Sequence, residues 1–127
     1  MEKSLVKTYG SAVFGIDAIT ITVEVDISPG MAFHLVGLPD NAVKESQQRI
    51  NAALKNNGYH MPGKMIVINM APADIRKEGS AYDLTLAVGI MAASGQIKAD
   101  AVDDYIIMGE LSLDGSLQPI KGALPIA

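Results

Sequence analysis

The segment AITITVEVDIS, residues 18–28, alternates strictly between apolar and polar side chains and constrains the fold more than any other part of the sequence. Ile19, Ile21, Val23, Val25 and Ile27 carry the apolar positions. Because successive side chains of a strand point to opposite faces, this pattern predicts a strand with one buried and one solvated face. A preceding strand from about Val6 to Phe14, turned at Gly15, is expected to pair with it.

Three further elements follow in the middle of the chain. AFHLVGL predicts a third strand, more buried than the second, which ends before Pro39. Asp40 is expected to cap a helix in which Val43, Ile50 and Leu54 recur at helical spacing, and Asn57-Gly58 is a good stop signal. The short β-branched run MIVINM predicts a central strand.

The last third of the chain predicts a buried helix and a hairpin. Asp83 is a plausible N-cap, and the helix after it is apolar on nearly every side, which is typical of a buried helix. Asp114-Gly115 lies between two strand-like runs and predicts a two-residue hairpin turn. The order is therefore β-β-β-α-β-α-β-β. We predict a layered α/β (α+β) domain over residues 1–127, with a mixed β-sheet packed with helices.

Composition limits the possible functions. The chain has 127 residues, 49% hydrophobic and 19% charged, no cysteine and a formal net charge of −4. These values exclude disulfides, thiolate metal sites and a cysteine nucleophile, and they do not favour nucleic-acid binding through bulk charge. No apolar run is long enough for a signal peptide or a membrane helix, so we expect a cytoplasmic protein. Because KGALPIA stops on apolar residues, we also expect this chain to be a fragment of a longer protein.

The stretch RKEGSAYD offers the one candidate catalytic site. Ser80 could act as a nucleophile if Lys77 served as its base. The structural alternative, which local evidence favours, is that Ser80 and Asp83 cap the helix while Arg76, Lys77 and Glu78 remain in water. No GxxxxGK[ST] or GxGxxG nucleotide-binding motif is present. The two histidines, His34 and His60, are isolated in sequence, which indicates structural or solvated roles.

Three runs carry a resemblance to a known family: FHLVGLPDNAVKES, INMAPADIRKEGSAYDLTLAVGIMAASG and MGELSLDGSLQPIKGALPIA. They resemble the N-terminal domain of the magnesium-chelatase-like AAA+ ATPases, the ComM and YifB group. The resemblance implies the fold of the Lon proteolytic domain. It also implies an ATPase module in the missing part of the parent protein, where ATP and magnesium would bind. The parent would form a homo-oligomeric ring that remodels DNA by branch migration.

The same resemblance implies that the peptidase site is lost. Lon-type peptidases carry their serine in KDGPSAG and their lysine in PIGGLK. Laying KEGSAYD and PIKGAL on these motifs puts Ala81 and Leu124 at the two catalytic positions, with Lys121 too early. A Ser-Lys dyad therefore cannot operate, and no catalytic, cofactor-binding or metal-binding residue is expected in this chain.

Two other functions remain open at this stage. One is a serine peptidase with an unconventional nucleophile at Ser80, and the other is a small-molecule kinase, which would need a phosphate loop that the sequence lacks. We hypothesise that Arg76, Lys77 and Glu78 form a contact loop for the ATPase module or for DNA, and the alternative is a merely solvated loop. We expect weak or absent DNA binding by the fragment itself, and no membrane partner.

Overall fold

The computed structural model describes residues 5–14, 16–72, 79–100 and 102–118. Six strands and two helices follow in the predicted order: β1 (Leu5–Phe14), β2 (Asp17–Ser28), β3 (Ala32–Val36), α1 (Asp40–Asn56), β4 (Met65–Ala71), α2 (Asp83–Ala93), β5 (Glu110–Leu111) and β6 (Leu117–Gln118). Short 3₁₀ turns cover Gly79–Tyr82 and Val102–Asp104. The predicted α/β architecture, a mixed sheet packed with helices, is confirmed.

The main sheet has four strands in the order β1-β2-β4-β3. β2 pairs antiparallel with both β1 and β4, whereas β3 pairs parallel with β4. The predicted β1–β2 pair and the central position of β4 are confirmed. α1 connects the two parallel strands, as a helix commonly does because parallel neighbours cannot be joined by a tight turn.

The alternating pattern of β2 does produce a buried face. Ile21, Val23 and Val25 are fully buried, and they join one core with inward side chains of β1, β4 and both helices. α2 packs against β1 and β2 and is buried along most of its length, as predicted. At Gly89 an added Cβ would lie 2.7 Å from Val25 Cγ2, so this glycine lets the helix approach β2 closely.

The prediction that β3 is more buried than β2 is wrong. None of its five residues is fully buried, and His34 and Val36 are exposed. β3 is apolar because one of its faces is directed to the core, but within the described residues it lies at the edge of the sheet and pairs with β4 alone.

The predicted cap at Asp40 is also wrong. Asp40 is the first residue of α1, Pro39 occupies the N-cap position, and no side chain caps this end. The predicted helix stop is confirmed, because Gly58 directly after the C-cap Asn57 adopts a φ of 81° that favours glycine.

The hairpin between β5 and β6 is confirmed, but its turn is longer than predicted. Ser112 N donates to Ser116 O at 2.8 Å, which leaves Leu113, Asp114 and Gly115 in the loop. Gly115 has a φ of 92°, as a three-residue hairpin loop requires. Both strands have only two residues.

Residues 106–109 precede this hairpin, and part of this segment is bonded to the outer edge of β1 at Tyr9 and Ser11. Tyr9 forms a parallel bridge with Ile106, and Ile107 N donates to Tyr9 O at 2.7 Å. Gly109 exchanges two hydrogen bonds with the start of α2: its N donates to Ala81 O and its O accepts from Leu84 N. These contacts explain why the apolar run before the hairpin does not extend β5, since its backbone groups are bonded to β1 and α2.

Candidate functional site

The turn that carries the candidate nucleophile lies directly before α2. Ser80 and Ala81 are half-buried in the 3₁₀ turn Gly79–Tyr82, and Ala81 packs against the core. The carbonyl of Ala81 accepts a hydrogen bond from Gly109 N at 2.9 Å. The turn is therefore fixed on two sides, by the core and by the segment that covers β1.

Four predicted site residues lie outside the described part of the chain. They are the contact-loop candidates Arg76, Lys77 and Glu78, and Leu124 at the position of the Lon lysine. The proposed pairing of Ser80 with Lys77 stays a hypothesis for the same reason, and so does the contact loop.

Tyr82 anchors the end of the turn. Its ring is buried, and its hydroxyl donates to Ser11 O in β1 at 2.9 Å. A Cβ on Gly10 would lie 2.9 Å from the ring, so the absence of a side chain at Gly10 makes room for Tyr82. The aromatic side chain thereby joins the start of α2 to β1.

Asp83 does not cap α2, contrary to the prediction. It is the first residue of the helix, Tyr82 occupies the N-cap position, and no side chain caps this end. The carboxylate is fully buried and binds elsewhere. Asp83 Oδ2 accepts from Arg49 Nε at 2.5 Å and from Leu111 N at 3.2 Å, and Asp83 Oδ1 accepts from Arg49 Nη2 at 3.0 Å.

Two competing effects set the protonation of this buried acid. Burial raises the pKa of Asp83, and the hydrogen bonds from Arg49 and Leu111 lower that pKa without cancelling the effect. The hydrogen bond to Asp83 raises the pKa of Arg49, which stays charged. The ion pair is therefore well formed, but its carboxylate is buried, and the charged form loses its hydration there.

Arg49 and Ser46 complete this cluster, and the sequence analysis missed both. Arg49 Nη2 donates to the Oγ of Ser46, a fully buried serine, at 3.2 Å. Ser46, Ile50 and Ala53 form the buried face of α1, and Arg49 lies beside them. Two features of the sequence could have predicted the pair. α1 has polar residues on its inward face, and the apolar helix α2 begins with an acid.

The cluster links three elements that are distant in sequence. Arg49 belongs to α1, Asp83 to α2, and Leu111 to β5. Asn56 and Asn57 at the end of α1 add two contacts to the hairpin loop, since their Nδ2 atoms donate to Leu113 O at 2.8 Å and Asp114 O at 2.9 Å. We name Ser46, Arg49 and Asp83 the ion-pair clamp, because their contacts hold α1, α2 and the hairpin together.

A second polar contact attaches α2 to the strand β1. Thr85, also buried, accepts through its carbonyl from Thr8 Oγ1 at 3.2 Å and donates through its hydroxyl to Ile107 O. Both threonines lie in the core with their hydrogen-bonding groups satisfied. The hydroxyl groups of Thr8 and Thr85 are thus bonded within the fold.

The two histidines lie apart and have no common site. His34 is on the edge strand β3, and His60 follows α1, where its backbone exchanges two hydrogen bonds with the side chain of Gln96. Among the residues described, no three histidine or acidic side chains lie close enough together to hold a metal ion. Within the same residues, no helix has the length and apolar character needed to cross a membrane.

Comparison with known proteins gives several matches. The family model described as subunit ChlI of Mg-chelatase matches residues 23–127. The protein YifB of Escherichia coli is 46% identical over 128 residues, which cover 100% of this chain and 25% of YifB. The competence protein ComM of Haemophilus influenzae is 43% identical over 123 residues, which cover 96% of this chain and 24% of ComM.

This chain therefore spans about a quarter of the length of these curated relatives. Its similarity fits a segment of an AAA+ ATPase-like protein. The model match and the identity along nearly the whole chain show that the chain belongs to the magnesium-chelatase-like ChlI family, together with YifB and ComM.

Proposed function

We propose that this chain is a non-catalytic domain of a ComM- and YifB-type AAA+ ATPase, with the fold of the Lon proteolytic domain. In the parent protein it serves as a contact module, through which the ATPase ring is assembled or engages its partners while it remodels DNA. ATP and magnesium bind in the ATPase portion, and this domain works in the cytoplasm.

The observation that carries the proposal is the identity and packing of Ala81. This residue stands where the family resemblance puts the peptidase serine, and its methyl group can neither attack a carbonyl nor accept a proton. It packs against the core, and its backbone is bonded to Gly109. A nucleophile at this position would need a different side chain and a base beside it. The contacts of the turn instead hold the start of α2 in place.

The polar groups around Ala81 support the same conclusion. A general base must have an oxygen or nitrogen available to take a proton. The carboxylate of Asp83, two residues away, uses both oxygens to bind Arg49 and Leu111. Tyr82 directs its hydroxyl to the backbone of Ser11. These side chains stabilise the fold.

Peptidase inactivity is tested with unfolded protein substrates and a serine-reactive fluorophosphonate probe. We expect neither turnover nor labelling of the purified protein. Turnover or labelling that disappears in Ser80→Ala would refute the proposal and establish the alternative, a serine peptidase with an unconventional nucleophile.

The contact role is tested in the full-length protein. We expect that reversing the charges of Arg76 and Lys77 together lowers ATP-driven strand displacement on branched DNA. The matched control reverses Lys55 and Lys98, which are exposed elsewhere on the domain. A thermal melt of each variant separates lost contacts from lost stability, and the exposed control pair is expected to change stability by about 0.5 kcal/mol or less. Wild-type displacement by the Arg76 and Lys77 variant would rule out the loop as a contact site.

A further inference from the structure

In the described part of the chain, the edge strand β3 is paired along one side only. Among the residues described, β4 is its one strand neighbour and no other backbone group bonds to Ala32–Val36. A strand edge of this kind presents a row of backbone N–H and C=O groups that another strand can pair with. Charged or proline residues often protect such edges, but β3 has the sequence AFHLV.

A groove runs between this edge and α1. It consists of two adjoining cavities of about 430 and 280 Å³, and Phe33 and Gln47 line both of them. α1 supplies the opposite wall through Asp40, Val43 and Lys44, which lie on one face of the helix. The groove therefore extends along β3 and has a helix on its far side.

The size and lining of the groove suit an extended peptide. Five residues of strand span about 16 Å. Phe33, Leu35 and Val43 give the walls an apolar surface, and Met31 and Val36, near the two ends of β3, are 85% and 55% exposed. A peptide that pairs with β3 would place alternate side chains against these residues.

The charges of the groove indicate the chemistry of the peptide. Lys44 and Lys64 line it, and within the described chain neither forms an ion pair; Asp40 is the one acid in the lining. Lys64 precedes Met65, the partner of Ala32, and so lies near the start of β3, whereas Lys44 lies in the part of α1 that follows the end of β3. Two separated cations in an otherwise acidic protein favour carboxylates on the partner.

We propose that β3 and α1 form a docking groove for an extended acidic peptide segment of a partner protein. The segment adds as a fifth strand beside β3, with apolar side chains in the groove and carboxylates near Lys44 and Lys64. This inference deepens the proposed contact role of the domain and rests on it. A second copy of the chain and a DNA strand are the competing occupants.

The test begins with selection of binders from a phage library of random dodecapeptides on the purified protein. The strongest binder is synthesised with a fluorescent label, and its Kd is measured by anisotropy. Lys44→Glu with Lys64→Glu should raise that Kd about tenfold or more, because two attractive pairs become repulsive. The control, Lys55→Glu with Lys98→Glu, changes the net charge equally and should alter the Kd by less than about twofold, since both lysines lie outside the groove.

Amide hydrogen exchange locates the bound peptide. We expect the peptide to slow exchange in β3, and we expect the selected sequences to be rich in acidic and apolar residues. The proposal is overturned if no peptide is recovered, if both charge reversals weaken binding equally, or if protection appears on other elements. It is also overturned if sedimentation shows a dimer in which β3 is already protected, or if an oligonucleotide competes for the groove. Strand displacement by the full-length protein tests the contact role separately, so a failure of the groove and a failure of the contact role can be told apart.

Discussion

The ion-pair clamp makes a quantitative prediction for Arg49→Met. The methionine keeps a side chain of similar length to the aliphatic stem of Arg49 but removes the charge and the hydrogen bonds of the guanidinium. Asp83, which is 0% exposed, would lose the guanidinium and keep the neutral partners Leu111 N and the Ser46 side chain. The variant thus isolates the cost of a buried carboxylate without its cation.

The size of the effect follows from burial. Breaking a buried ion pair by removing one partner costs about 3–5 kcal/mol. The side chain of Arg49 is 22% exposed, so water can partly replace it, and we expect a loss of about 3 kcal/mol at pH 7. The loss should shrink at pH 5, because an unpaired buried carboxyl group takes up a proton more readily.

The assay is urea unfolding followed by circular dichroism at both pH values. Glu45→Ala is the control: its carboxylate lies 4.0 Å from Arg49 and is 64% exposed, so its removal should change the free energy of unfolding by less than about 0.5 kcal/mol. Asp83→Asn should cost less in the Arg49→Met background than in the wild type, because the two residues interact directly. A loss below about 1 kcal/mol for Arg49→Met at pH 7 would show that the clamp does not stabilise the fold.

Three further predictions concern pH, packing and DNA. Burial raises the pKa of Asp83, so its contribution to stability is complete below the unfolded-state pKa of about 3.9 and is lost as pH rises through the folded-state value. The free energy of unfolding of the wild type should therefore fall relative to that of Asp83→Asn as pH rises from about 4, and parallel curves would contradict this. Gly89→Ala should destabilise the protein by about 1–3 kcal/mol in a thermal melt, because the new methyl group overlaps Val25, whereas Gly63→Ala has open space and should be nearly neutral. The isolated acidic chain should bind branched DNA weakly, and a micromolar or tighter Kd at about 0.15 M salt would reveal a local basic site.

Local patterns predicted the elements but not their neighbours. The alternating pattern of β2 and the apolar sequence of α2 predict burial directly, because each pattern is contained in the sequence of a single element. The burial of β3 depends on which strands lie beside it. A short apolar run looks the same in sequence whether its strand is central or at an edge. The ion-pair clamp joins residues 34 positions apart, which no local period encodes.

Both helix caps were mispredicted for a common physical reason. An acidic residue is favourable at the N-cap and also in the first turn of a helix, where it faces the positive end of the dipole. Asp40 and Asp83 lie in the first turn. At α2, the N-cap Tyr82 has φ −102° and ψ 4°, which continue the preceding 3₁₀ turn and differ from the extended conformation typical of a capping residue.

The covered edge of β1 has a consequence for self-association. Residues 106–108 are bonded to the middle of one end strand, at Tyr9 and Ser11, and within the described residues β3 at the opposite end pairs with β4 alone. A fibre that grows by strand pairing needs two open sheet edges on every molecule, because each added molecule must offer an edge to the next. With the middle of β1 occupied, two molecules that pair through β3 offer a poorer second edge, which disfavours growth beyond a pair. If residues 106–109 detached from β1, both edges of the sheet could pair with other molecules, and longer assemblies could grow.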